Sequence, residues 1–114
     1  MSLQTKKISG MDGETFSQEC SQLIDWLAGI EMPEDNVKIR EAGGCLGGIL
    51  VGLITTSQAS FHTNESEWVA RLCEQLEPTA NNGNQAKILQ AIRECAQTAA
   101  GAGEELAFEF QQAS

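Results

Sequence analysis

Ala42-Gly43-Gly44-Cys45-Leu46-Gly47-Gly48-Ile49-Leu50-Val51-Gly52-Leu53-Ile54 is a run of thirteen residues with no charge and no strongly polar side chain, and five of them are glycine. Read as a helix, Gly44, Gly48 and Gly52 stand nearly one above another, with Gly43 and Gly47 in the adjacent row. This small-xxx-small spacing lets a second backbone approach closely, because no Cβ holds it off. Leu46, Ile49, Leu50, Leu53 and Ile54 cover most of the remaining circumference, and a helix apolar all round is a buried one. Five mid-helix glycines cost roughly 5 kcal/mol in helix propensity, so tertiary contact has to offset them. A buried strand over residues 49–56 is the competing local reading. A membrane span needs about 20 apolar residues. This run is shorter, and Lys38, Arg40 and Glu41 sit directly before it.

Working outward, the flanking segments read as amphipathic helices. Asp12 is a suitable N-cap with Glu14 in the first turn. Phe16, Cys20, Leu23, Leu27 and Ile30 then recur at helical spacing up to Pro33, which disfavours helix in the residue before it. Pro33, Glu34 and Asp35 suit the first turn of a second helix, which runs through the glycine stretch to about Ser57 with a kink at Gly43-Gly44. Residues 58–63 read as a connection. Asn64 with Glu67 resembles a capping box for a third helix, whose apolar face is Trp68, Val69, Leu72, Cys73 and Leu76. Pro78 and Asn81-Asn82-Gly83-Asn84 mark a loop. In the fourth helix Ile88, Ile92, Cys95, Ala99, Ala102 and Leu106 form the most regular stripe of the chain. Its small-residue middle makes it the natural partner of the glycine face, so the expected close-packing or dimer face is Gly44, Gly48 and Gly52 with Ala99 and Ala102. Phe108 and Phe110 are expected to cap one end of the core.

The expected architecture is all-α: a four-helix, mainly antiparallel bundle with a buried glycine-rich central helix. Residues 1–11 read as a flexible tail and residues 12–114 as one helical domain, a length sufficient for a single core. The N-terminus lacks the apolar region of a signal peptide, which points to the cytoplasm.

Sixteen acids stand against seven bases, a net charge of −9. That balance repels nucleic acid and anionic membrane surfaces and suits a basic protein partner. Glu104, Glu105 and Glu109, in a C-terminal stretch without bases, are the candidate partner-binding face. Cys20, Cys45, Cys73 and Cys95 fall one per expected helix, and no pair has the C-x-x-C spacing of a zinc or redox site. Each reads as a small buried hydrophobe. His62 is the lone histidine, and a Cys–His pair such as Cys45 with His62 has nothing in the sequence to orient it. The glycine run lacks the Lys-Ser or Lys-Thr of a phosphate-binding loop. The expectation is therefore no catalytic, cofactor or metal residue. The function expected is a protein-binding module of inhibitor, immunity or adaptor type that forms a homodimer. The alternative is a small-ligand carrier or enzyme with an apolar pocket inside the bundle.

Overall fold

The computed structural model describes residues 3–113, which are 67% helical and form four helices and a three-stranded mixed sheet. The order is β1 (Leu3–Ser9), α1 (Gly13–Gly29), α2 (Val37–Thr56), β2 (Gln58–Phe61), α3 (Thr63–Leu76), a short 3₁₀ turn (Glu77–Thr79), α4 (Gly83–Ala102) and β3 (Leu106–Ala113). An all-α bundle is thereby corrected. Residues 3–9 of the expected tail form a strand, and Met11 behind them is only 2% exposed. The tail's first two residues lie outside the described part of the chain.

The helix starts follow from their caps. Asp12 accepts from Thr15 N at 2.8 Å, Asn36 from Lys38 N at 2.8 Å, and Asn82 from Gln85 N at 2.9 Å, each satisfying an orphan donor of the first turn. The cap of α2 is thus Asn36, beyond Pro33, and the helix runs through Gly43-Gly44 without a break. His62 precedes α3, and its carbonyl accepts from Glu65 N, Ser66 N and Ser66 Oγ. Two left-handed residues turn helix into strand. Ser57 (φ 59°) ends α2 and leads into β2, and Gly103 (φ 70°) ends α4 before β3. Gly103 is the residue type that tolerates this geometry best.

β3 is the central strand, parallel to β1 and antiparallel to β2. Its Leu106, Phe108 and Phe110 face the helices, together with Ile8 of β1 and Ala59 and Phe61 of β2, all buried. Phe110 stacks on Phe16 of α1 at 6.4 Å, and Phe61 meets Phe108 edge-on at 5.4 Å. The helices run side by side, α1 on α2, α2 on α3 and α3 on α4. Leu23, Leu46, Leu50, Leu53, Leu72 and Ile88 fill the core between them, each essentially inaccessible. No helix of the described residues is long and apolar enough to cross a membrane.

Ion pairs tie remote segments to this core. Glu34, in the α1–α2 connection, is held by Arg71 Nε and Nη2 of α3 at 2.9 and 2.8 Å and by Gln75 Nε2 at 2.6 Å. Lys6 of β1 pairs with Glu94 of α4, and Arg93 with Glu77 at 2.5 Å. The hydrogen bond from Gln75, with Arg71 second, holds the Glu34 carboxyl below its ordinary value of 4.5, and Lys6 does the same for Glu94. A depressed folded-state value means that this stability is present at neutral pH and lost as pH falls through the folded-state value. Acid titration of the thermal midpoint is therefore expected to fall less steeply below about pH 5 in Glu34→Gln than in the parent. The comparison isolates Glu34 from the general relief of repulsion in a chain of net charge −9. Equal slopes for the two proteins would show that the Glu34 contact adds nothing.

Candidate functional site

The glycine stretch forms a surface feature as well as a core helix. α2 buries Ala42, Leu46, Ile49, Leu50 and Leu53 and turns Gly44, Gly48 and Val51 outward, with Val51 49% exposed. A Cβ added at Gly44, Gly47 or Gly48 would meet nothing within 4 Å. At Gly52 it would stand 2.8 Å from the carbonyl oxygen of Gln58. Gly52 is thus the one member of the row that a close backbone approach requires, and the approaching chain is β2. The expected partner was α4, but the neighbours of α2 are α1, α3 and β2. The small waist of α4, with Ala99 buried, faces mainly α3, and Ala102 is exposed at the helix end.

Where α2, β2 and the start of α3 meet, a cleft of about 260 Å³ opens to solvent. Ile49, Phe61 and Val69 give it an apolar lining, and Gly48 and Gly52 leave α2's backbone bare along one wall. Its polar side is Ser60, His62 and Glu65. Cys45 also lines it, and its thiol donates to Glu65 Oε2 at 3.2 Å. His62 Nδ1 lies 3.2 Å from Glu105 Oε2. Cys45 and His62 therefore share one cleft, but each is engaged by a carboxylate. Burial, the hydrogen bond to Glu65 and the charges of Glu65 and Glu41 push the Cys45 thiol up to about 11. Reactive thiolates need the opposite surroundings, cationic ones that lower the pKa. Burial is the leading cause for the other three, raising Cys20 and Cys95 to about 12 and raising Cys73 as well. All four cysteines are unbridged, and the three on α1, α3 and α4 are buried as small hydrophobes. Among the described residues no three His, Cys, Asp or Glu side chains come together as metal ligands would.

No protein-family model, curated protein or solved structure matches this chain.

The three candidate acids have separate situations. Glu104 is exposed in the turn before β3, Glu105 is drawn to His62, and Glu109 lies on the outer face of β3 opposite Thr5 and Gln58. The cleft's acidic side thus includes one of the three, Glu105, through His62. Its other carboxylate, Glu65, carries no sequence signal beyond its place in the first turn of α3. The strand that positions Glu105 has a sequence signal that the all-α expectation passes over: Leu106, Phe108 and Phe110 alternate strictly, which is strand periodicity.

Proposed function

We propose that the chain is a non-catalytic recognition module for a basic protein partner, and that the α2–β2–α3 cleft receives one lysine or arginine side chain of that partner. One observation carries this reading: the cleft combines an apolar lining, a glycine wall and a carboxylate, Glu65, beside it. A side chain with an apolar stem and a cationic head matches both parts, since such chains lay their methylenes on apolar surface and keep the charge at the rim. The size supports a single side chain. Small-molecule pockets run from about 300 to 1,000 Å³, and this cleft is smaller and lies at the surface rather than inside a bundle. The protonated Cys45 thiol supports binding over nucleophilic chemistry. Of the two associations expected, charge favours a basic partner over a second copy, since each copy carries −9.

The test is a titration with an oligolysine peptide, followed by amide chemical shifts. Saturable shifts are expected at Gly48, Gly52, Ser60 and Glu65, weakening with salt. Gly48→Leu fills open space, so it leaves the fold intact and abolishes these shifts. Glu65→Gln weakens binding by about tenfold. Shifts spread over all acidic residues without saturation would sink the proposal.

A further inference from the structure

The bases of this chain are distributed unevenly in a way that the cleft does not explain. Seven are present. Lys38, Arg40, Arg71 and Arg93 pair with Glu41, Asp35, Glu34 and Glu77, and Lys6 pairs with Glu94. Lys7 and Lys87 have no ion-pair partner among the described residues, and both are exposed. They line the same groove of about 180 Å³ between β1 and α4, together with Ile8, Ser9 and the paired Lys6 and Glu94. The Lys87 ammonium lies 3.5 Å from where a Gly10 Cβ would stand, so it marks the end of the strand. A chain of net charge −9 thus sets two uncompensated lysines, Lys7 of β1 and Lys87 of α4, on one groove beside β1.

That strand is an edge. β1 pairs with β3 on one side, and among the described residues no backbone hydrogen bond joins its other side to the protein. Alternate residues of a strand turn N–H and C=O to the free edge, a template for another extended chain. The Lys6–Glu94 pair pins β1 to α4, so the edge is already ordered and adds little entropy cost to a strand that docks there. No proline or bulge blunts it over residues 3–9.

We propose that the free edge of β1 is a second interaction surface, which takes up an extended acidic segment of a partner protein by strand addition. Main-chain hydrogen bonds to β1 supply affinity. Lys7 lies beside the incoming strand and the Lys87 ammonium at the strand's end near Gly10, so both favour acidic side chains there by charge complementarity. This site lies apart from the α2–β2–α3 cleft, and either proposal stands or falls without the other. Together they describe an adaptor with an acidic cleft and a basic edge.

The experiment uses the full chain and a peptide as long as β1 in which Glu and Val alternate, with a Lys/Val peptide of the same length as control. Amide shifts and hydrogen exchange report the result. Saturable shifts over Leu3–Ser9, new exchange protection at alternate residues of β1, and affinity at least about tenfold lower in the Lys7→Glu/Lys87→Glu variant support the proposal. Both lysines are exposed and have no ion-pair partner among the described residues, so that variant is expected to fold as the parent does. Equal binding of the Lys/Val peptide, shifts confined to the cleft, or no response at β1 overturns it. Inorganic polyphosphate is the second probe. If it binds Lys7 and Lys87 while the acidic peptide gives no alternating protection, the edge is an anion patch and the proposal is wrong.

Discussion

Phe110→Ala is expected to lower stability by about 3–5 kcal/mol, the range for truncating a buried phenylalanine. Phe110 is 1% exposed on the central strand, stacked on Phe16 of α1, and paired in register with Lys6 of β1. Its ring lies where sheet and helices meet, so the cavity cannot close by a shift of one flexible segment. Small domains hold only about 5–15 kcal/mol in total. The thermal midpoint should therefore drop by on the order of 15 °C, and a weaker parent would be largely unfolded. Leu3→Ala is the control. Leu3 is 55% exposed on the same sheet, and its loss should stay within about 0.5 kcal/mol. Urea denaturation of the three proteins checks both numbers. An unchanged midpoint for Phe110→Ala would mean that residues 106–113 do not form the central strand.

Two glycines one helical turn apart should respond to alanine with opposite signs. At Gly48 the new methyl enters open space, and the helix gains the propensity difference of about 1 kcal/mol. At Gly52 the same gain is opposed by a Cβ 2.8 Å from the Gln58 carbonyl oxygen, a backbone atom that cannot swing away. Moving β2 also disturbs its pairing with β3, where Ser57 O accepts from Phe110 N at 2.8 Å. Overpacking of this kind costs about 1–3 kcal/mol, so the net effect of Gly52→Ala is a loss of up to about 2 kcal/mol, with Gly52→Val worse. Chemical denaturation of the two alanine variants gives the signs directly. Stabilisation by both would show that α2 and β2 do not approach as described.

The helices were legible because helical structure is announced locally. The stripe Phe16, Cys20, Leu23, Leu27, the cap at Asp12, and the apolar circumference of residues 42–54 all lie within a few residues of the structure they specify. The C-terminal error is instructive. Leu106 continues the spacing of Ile88, Ile92, Cys95 and Ala99, although Leu106, Phe108 and Phe110 also alternate as a strand does. Gly103 was the punctuation between the two periods, and its left-handed backbone is what ends the helix. The candidate cleft was less legible still. In the sequence Cys45 and His62 are a pair with nothing to orient it and Glu65 is not singled out, and only the meeting of α2 with β2 and α3 makes the three neighbours.

The sequence by itself determined four helices, most of their core faces, a strongly acidic surface and the special status of the glycine run. Tertiary structure alone decided that β1 is a strand. Leu3–Ser9 has a single buried apolar residue, Ile8, and its order comes from backbone pairing with a partner 104 positions away, Leu3 with Ala107. It likewise decided which glycine is needed for contact and which lie open. A helix satisfies its hydrogen bonds within its own turn, whereas a strand, a cleft and a close backbone approach exist only once a remote segment arrives.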